Sequence, residues 1–362
     1  MKNIFILFFL ILSLFTFATA PVGYYTTAVG KSEAALKTQL FTIVGSHTAR
    51  TYTTLWNDFK TTDKKSDGSV WDMYSNCTFV FGVNQDSGSG GTAECQFYNR
   101  EHSFPKSWFK ISSGQEDSAP MGTDLFHLYP TDKFVNNSRG NDPFGETASS
   151  SQTFINGSKI GSSSFAGYSG VVFEPANEYK GDFARTYSYM VTAYENVVDT
   201  WNTSNTNASP HLDGTKYPAL TSWTVSLLLK WNSQDPVSQK EIDRNEAVYG
   251  VQKNRNPFID HPELAEYIWG SHKGEPWSLT AGVDELKIEF SVSPNPVRNE
   301  ITVKAVEADL SYAIFNLNGQ LLDENTLNKS KSIRVSQLSN GMYLLQLKSG
   351  NRKSIQKFTI NK

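Results

Sequence analysis

Cysteine, excess charge and long apolar runs are all scarce in this sequence of 362 residues. There are only two cysteines and no CxxC pair, which argues against a structural zinc site. The 33 basic and 36 acidic residues leave a formal net charge of −3. This balance argues against a protein coated in basic surface for nucleic-acid binding. It does not exclude a local basic cleft, because a cleft focuses potential regardless of the total charge.

Only one segment is apolar enough to enter a bilayer, and it lies at the N-terminus. A weakly basic start precedes the run IFILFFLILSLFTF and the small residues ATA. This layout predicts a secretory signal peptide over residues 1–20, with cleavage after Ala20 or after Ala18. A membrane anchor is the alternative, but the run is short for a span and no basic cluster follows it. We therefore expect a protein that is secreted or held at the cell surface, with no stable membrane span.

The two cysteines, Cys77 and Cys95, fit this export pathway. A pair of cysteines in an exported protein predicts a disulfide, and free thiols or a partial metal site are the alternatives. A bridge at this place would stiffen the element that follows it.

The chain from 21 to 272 has the pattern of a mixed α+β body. Apolar residues at helical spacing predict several helices, and turn signals or Ser/Gly-rich composition predict a strand and loops. The predicted elements are helices at 32–47, 51–63, 181–197 and 238–252, a turn and strand at 66–76, and loops at 84–91 and 148–167.

The composition changes near the C-terminus, where residues 273–288 have the character of a linker. From residue 289 the apolar residues alternate with period two, which predicts short strands separated by turns. We expect strands at 299–306, 310–317, 331–338, 341–348 and 353–360. Residues 289–362 are thus predicted to form a small all-β, immunoglobulin-like sandwich.

The stretch YNREHSFPKSWF, residues 98–109, carries the candidate chemistry. A carboxylate such as Glu101 can hold a hard divalent cation, and a neutral imidazole such as His102 can take a proton from water near pH 7. Neighbouring residues on a strand face opposite ways, but near a strand end both can reach one cleft. The pair therefore outlines metal-assisted hydrolysis.

A second oxygen ligand is expected from TDLFHLYPTDKFVNNSRGN, residues 123–141. Thr131 or Asp132 can cap a short helix that ends at Gly140, and Asn136 lies inside it. The amide oxygen of Asn136 is neutral, so a bound Mg²⁺ keeps net positive charge for a phosphate.

Together these two stretches resemble the bacterial endonuclease I family of secreted nucleases, which have a ββα-metal (His-Me finger) site. Further similar stretches are VWDMYS, FEPANEYKGDFARTYSYM and DPVSQKEIDRNEAVYGVQKNRNPFIDHPE, so the resemblance covers about Tyr24 to Trp269. It implies that His102 is the general base and that Glu101 and Asn136 are the metal ligands. It also implies non-specific cleavage of DNA, and often RNA, to 5′-phosphate ends with Mg²⁺, which Mn²⁺ or Ca²⁺ can replace.

Four cations are candidates for contact with the substrate phosphates: Arg100, Lys106, Arg139 and Arg185. Phosphate contact is mostly cationic and independent of base sequence, so these residues would bind DNA and RNA through the backbone. A structural ion pair or a solvated charge is the alternative for each of them.

The tail resembles the C-terminal sorting domain of the type IX secretion system. The resemblance rests on FSVSPNPVRNEITV, YAIFNLNGQLL and LSNGMYLLQLKSGNRKSIQKF. It implies that the secretion machinery is a partner of this domain. Two other functions stay open from the sequence: a cell-surface adhesion protein without catalysis, and a secreted phosphodiesterase acting on small esters.

Overall fold

The computed structural model describes residues 20–112, 114–115, 117–279, 290–305, 310–316, 320–327, 331–349 and 352–362. Apart from Ala20, the predicted signal peptide lies outside the described residues, as does most of the predicted linker. The chain divides into two compact units between Ser278 and Leu279. Within the described residues, no helix combines the length and the apolar composition that a membrane crossing requires.

The first unit mixes helices with short strands. Its α-helices are α1 (Glu33–Val44), α2 (Leu55–Thr62), α3 (Lys133–Arg139), α4 (Lys180–Ala193), α5 (Ser222–Gln234), α6 (Gln239–Gln252), α7 (Pro257–Asp260) and α8 (Leu264–Trp269). Its strands are β1 (Tyr98–His102), β2 (Leu128–Asp132), β3 (Thr147–Thr153), β4 (Lys159–Ser163) and β5 (Val171–Glu174). Short 3-10 helices lie at Thr26–Ala28, Lys106–Trp108, Pro120–Thr123, Asn177–Tyr179 and Val198–Thr203.

The four helices predicted from apolar spacing are all present, as α1, α2, α4 and α6. Helix α6 is capped by Ser238, whose hydroxyl accepts from the Glu241 N–H while the Glu241 carboxylate accepts from the Ser238 N–H. This capping box satisfies donors that a helix start otherwise leaves free. Helix α4 is buried along its whole length and packs against α1, α5 and α7, so it forms the centre of the unit.

Strands β1 and β2 form a two-stranded antiparallel sheet on which the site is built. Glu101 lies opposite Tyr129, and His102 lies opposite Leu128. The guanidinium of Arg244, on α6, donates to the Leu128 carbonyl at 2.9 Å and thereby holds the start of β2. The sheet is therefore tied to the helical part of the unit by a buried cation.

Helix α3 follows β2 without a loop because Asp132 caps it. Oδ1 of Asp132 accepts the N–H groups of Phe134 and Val135 at 2.8 and 3.2 Å. The helix ends at Gly140, whose φ of 59° is easily adopted by glycine. The ββα arrangement predicted around residues 98–140 is thus present.

A disulfide between Cys77 and Cys95 closes the segment before β1, with the two Cα atoms 5.2 Å apart. The backbone N–H of Cys95 donates to Oδ2 of Asp132 at 2.7 Å. The bridged segment is therefore joined to the same carboxylate that starts α3.

Two predictions of local structure are wrong. Residues 148–167, predicted as a loop, carry β3 and β4. The β3 strand is mostly exposed, so it has no apolar alternation to reveal it. Conversely, the strand predicted within 66–76 is reduced to an isolated bridge between Lys64 and Val70. The first unit also extends past the predicted boundary at residue 272, because Trp277 is 1% exposed and packs in its core.

The second unit is all β. Its described strands are β6 (Phe290–Ser293), β7 (Glu300–Ala305), β8 (Ser311–Asn316), β9 (Leu321–Thr326), β10 (Ser332–Arg334), β11 (Gly341–Ser349) and β12 (Arg352–Ile360). They form an antiparallel sheet in the order β10-β7-β6 and another in the order β12-β11-β8-β9. One apolar core contains residues of both sheets, including Ile301, Ile314 and Leu345. The predicted sandwich is present, although β6 and β9 were not predicted.

Candidate active site

A cleft of about 420 Å³ opens beside the ββα element. Its lining combines the end of β1, the middle and end of α3, and the segment between α1 and α2. The lining residues are Tyr52, Asn99, Arg100, Glu101, His102, Pro105, Lys106, Ser107, Asn136, Gly140 and Asn141. Glu101, His102 and Asn136 therefore reach one and the same cleft, although the first two are neighbours on a strand.

Glu101 is 3% exposed and is held by one of its two oxygens. Oε1 accepts from the Tyr74 hydroxyl at 2.8 Å and from Nη1 of Arg139. Among the described residues, no hydrogen bond uses Oε2. Burial raises the pKa of the Glu101 carboxyl, while the Arg139 charge and the Tyr74 hydrogen bond act in the opposite direction. The carboxylate is thus anchored on one side and has a free oxygen on the other.

Asn136 is oriented by a second asparagine. Its Nδ2 donates to Oδ1 of Asn99 at 2.8 Å. This bond uses the donor end of the amide, and no hydrogen bond within the described part of the chain uses Oδ1 of Asn136. Asn99 and Glu101 are two apart on β1 and so project from the same face of the strand.

The free oxygens of Glu101 and Asn136 suit a hard divalent cation, which prefers carboxylate and amide oxygens and retains several waters. These two residues are the ones that would hold the ion. Another cluster of potential ligands, Cys77, Cys95 and Asp132, has atoms within 4.8 Å of one another. Its two sulfurs are consumed in the disulfide, so it offers no thiolate to a metal.

His102 presents one ring nitrogen to the cleft. Its Nε2 lies 2.9 Å from the carbonyl oxygen of Gly122. A carbonyl only accepts, so Nε2 carries the hydrogen and Nδ1 keeps its lone pair. Burial lowers the pKa of His102 well below its ordinary value of 6.5, and the nearby His127 lowers it further. The imidazole is therefore neutral at pH 7 and able to accept a proton.

Two of the four predicted phosphate contacts lie at the cleft. Arg100 is partly buried, with Cζ 3.5 Å from the centre of the Tyr52 ring. Lys106 is more exposed, and its Nζ lies 2.8 Å from Oδ1 of Asp117. Both cations line the cleft that contains Glu101 and His102.

The other two predicted phosphate contacts are contradicted by their burial. Arg185 is 1% exposed, its Nη2 donates to Oε2 of Glu241 at 2.8 Å, and neither residue lines the cleft. Arg139 is also 1% exposed and lies behind Glu101, with Nη2 donating to the Ser103 carbonyl at 2.8 Å. Both guanidiniums are structural ion-pair partners, and Arg139 supports a site residue instead of contacting substrate.

Four residues of the site were not predicted as such: Tyr52, Tyr74, Asn99 and Gly122. Asn99 lies two residues before Glu101 and on the same strand face. This spacing is a local signal that marks Asn99 as a neighbour of the site. The others arrive from distant segments, and no local pattern marks them.

The ββα element brings a carboxylate, an imidazole and an amide to one cleft. Residues 32–263 match the Endonuclease I family, and residues 291–361 match the secretion system C-terminal sorting domain. The chain belongs to the endonuclease I family.

Two curated relatives are similar to this chain over more than half of its length. The extracellular ribonuclease of Bacillus amyloliquefaciens is 36% identical over 252 residues, which is 68% of this chain and 78% of the relative. The extracellular ribonuclease of Bacillus subtilis (strain 168) is 36% identical over 254 residues, again 68% of this chain and 78% of the relative.

The protein is therefore a nuclease, a hydrolase acting on phosphodiester bonds, that is secreted or held at the cell surface. Its sorting domain implies the type IX secretion machinery as a partner, and its family implies a nucleic-acid substrate. The alternative of an adhesion protein without catalysis does not agree with this membership.

Proposed function

We propose that this protein is a metal-dependent endonuclease that cleaves DNA and RNA without base specificity and leaves 5′-phosphate ends. The observation that carries the proposal is the meeting of Glu101, His102 and Asn136 at one cleft. Within the part of the chain that the structure describes, each of them keeps an acceptor atom that no hydrogen bond uses. An adhesion scaffold has no physical reason to bury an imidazole and a carboxylate together in this way.

His102 is the general base in this proposal. Its Nδ1 lone pair takes a proton from a water molecule, and the resulting hydroxide attacks the phosphorus. The bond from phosphorus to the 3′ oxygen breaks, so the phosphate stays on the 5′ oxygen. The 3′ oxygen leaves as a hydroxyl after it takes a proton from a water molecule. The hydrogen bond from Nε2 to Gly122 supports this role because it keeps the ring in the tautomer whose Nδ1 is free.

When bound, Mg²⁺ would supply positive charge where negative charge develops on the phosphate and on the leaving oxygen. Glu101 and Asn136 are the side chains that would hold it, through Oε2 and Oδ1. The Arg139 guanidinium behind Glu101 keeps that carboxylate fixed through its other oxygen. The ligand pair thus carries a single negative charge, which leaves the ion a net attraction for phosphate.

The lining of the cleft supports binding through the backbone rather than through base edges. Arg100 and Lys106 are its cations, and phosphate contacts carry no sequence information. We expect little base preference and a strong loss of activity with rising salt.

RNA is included because the two similar Bacillus proteins are named extracellular ribonucleases. A water nucleophile needs no 2′-hydroxyl, so the same site serves DNA and RNA. By the same reasoning, RNA cleavage should yield 5′-phosphate ends and no 2′,3′-cyclic phosphate.

The test is cleavage of plasmid DNA and of a structured RNA by the full chain with Mg²⁺, with and without EDTA, followed by analysis of the ends. His102→Ala is expected to abolish both cleavages while the melting temperature stays near that of the wild type. His272→Ala is the matched control, because His272 is exposed and pairs with Glu275 outside the cleft.

Normal turnover by His102→Ala, or activity in EDTA, would contradict the proposed chemistry. Cyclic or 3′-phosphate products from RNA would contradict the water nucleophile. A faster rate on a small aryl phosphodiester than on polymer DNA would favour the phosphodiesterase of small esters instead.

A further inference from the structure

Tyr52 lies on the wall of the cleft, although it comes from the segment between α1 and α2 rather than from the ββα element. It is partly buried. It contacts the site through its ring and its backbone carbonyl.

The first of these interactions holds Arg100. The Arg100 Cζ lies 3.5 Å from the centre of the Tyr52 ring and 4.4 Å from that of Trp56. Nη1 of Arg100 also donates to the backbone carbonyl of Tyr52 at 2.5 Å. A guanidinium that contacts two aromatic rings and a carbonyl has lost most of its rotamer freedom before substrate arrives.

The second interaction holds His102. The Tyr52 and His102 rings are stacked, with their centres 5.9 Å apart and their planes 18° from parallel. The Gly122 carbonyl fixes one nitrogen of the imidazole, and the His127 ring packs against it at a tilt of 50°, with the ring centres 5.4 Å apart. Tyr52 is the neighbour whose ring is stacked on the imidazole. A stacked neighbour restricts the plane of the ring and hence the direction of the Nδ1 lone pair.

The same ring also lies near Lys106, whose Nζ is 5.6 Å from the ring centre. Tyr52 thus contacts the base and both cations of the cleft, and no other residue in the described lining has ring contacts with all three. These three groups belong to β1 and to the turn after it, so the ring of Tyr52 connects them from a separate segment.

We propose that Tyr52 is a positioning residue that sets the plane of the His102 base and the place of the Arg100 cation at once. The inference rests on the proposed function of His102. Misplacement of a reacting group by about 1 Å can lower a rate by about 100-fold. Loss of the ring should therefore lower kcat through His102 and raise KM through Arg100.

The test compares Tyr52→Leu and Tyr52→Phe in the full chain, with kcat and KM measured on a fluorescent oligonucleotide. Leucine removes the ring, and we expect kcat to fall about 10- to 100-fold and KM to rise severalfold. Phenylalanine keeps the ring and lacks only the hydroxyl, so it should restore most of what leucine loses.

Tyr249→Leu is the matched control. Tyr249 is also partly buried and also packs against an arginine, with the Arg255 Cζ 5.5 Å from its ring, but it does not line the cleft. Its substitution should change stability without the combined change in kcat and KM.

Normal kcat and KM in Tyr52→Leu, together with an inactive His102→Ala, would overturn the inference and leave the proposed function intact. An equal loss in Tyr52→Phe and Tyr52→Leu would also overturn it, because the hydroxyl would then be the group that matters. An active His102→Ala would instead refute the proposed function on which the inference rests.

Discussion

The amide of Asn136 donates to the amide oxygen of Asn99, 2.8 Å away. This contact joins the second turn of α3 to β1 and turns the carbonyl end of Asn136 away from its partner. A ligand that is neutral binds a metal weakly, so its orientation has a large effect on affinity. Asn99 therefore orients the side-chain amide of Asn136.

Replacement of Asn99 by alanine should free the Asn136 amide to rotate. We expect the Mg²⁺ concentration for half-maximal activity to rise about tenfold or more, and calorimetry to show weaker Mn²⁺ binding without substrate. Asn137→Ala is the control, since Asn137 is exposed on the same helix. Unchanged metal binding in Asn99→Ala would show that Asn99 does not orient the metal ligand Asn136.

Arg139 is the buried counter-ion of Glu101, so Arg139→Met should leave an unpaired carboxylate in the interior. We expect a loss of about 3–5 kcal/mol in the free energy of unfolding, measured by urea denaturation. The double variant Glu101→Gln/Arg139→Met should lose less than Arg139→Met alone, because it leaves no uncompensated charge. Equal losses in the two variants would show that lost packing, and not charge, is the cause.

Asp72 should make stability fall as pH rises. Burial raises its pKa from 3.8 to about 7, with the neighbouring Asp132 acting in the same direction. A group whose pKa is higher in the folded state contributes stability that is full below pH about 4 and is lost as the pH rises through about 7.

The Asp72→Asn variant has no carboxyl to ionise at this position. Its free energy of unfolding, relative to that of the wild type, should therefore increase by up to about 4 kcal/mol between pH 4 and pH 8. Urea denaturation of both proteins at matched pH values measures the difference. Parallel stability curves for the two proteins would contradict this account of Asp72.

The disulfide should stabilise the first unit and the start of α3. The bridge joins residues 18 apart in sequence, and closing a loop of that size is worth about 3 kcal/mol in the chain-entropy model. The Cys77→Ser/Cys95→Ser variant should lose about that amount in urea denaturation. It should also need more Mg²⁺ for activity, because Cys95 holds the Asp132 cap of the helix that carries Asn136. A variant with unchanged stability and unchanged Mg²⁺ dependence would show that the disulfide does not support the site.

The core of the site could be predicted because its parts are local. Glu101 and His102 are adjacent at a strand end, and Asn136 lies in a short helix whose cap and terminating glycine are visible in the sequence. The burial of Arg139 and Arg185 depends on tertiary packing, which a local sequence pattern does not reveal. An arginine in a stretch that resembles the family looks the same in the sequence whether it contacts a phosphate or a buried glutamate. The supporting residues Tyr52 and Tyr74 come from segments with no pattern that points to the cleft.

The same distinction applies to the fold. Helices α1, α2, α4 and α6 carry apolar residues at helical spacing, and α6 also carries a capping box, so their existence is readable from sequence. Strand β3 is polar and mostly exposed, and β9 is LLDENT with exposed residues at most positions, so neither has the alternation of a half-buried strand. Both are held by pairing with a neighbour, which a local pattern does not reveal.

The most direct test of whether Glu101 and Asn136 bind one ion is diffraction from crystals soaked in Mn²⁺, followed by an anomalous difference map. The account predicts one strong peak within coordination distance of Oε2 of Glu101 and Oδ1 of Asn136, beside Nδ1 of His102, and no such peak in Glu101→Gln. A peak bound by other residues, or a cleft that stays empty while the crystals cleave a soaked oligonucleotide, would contradict it.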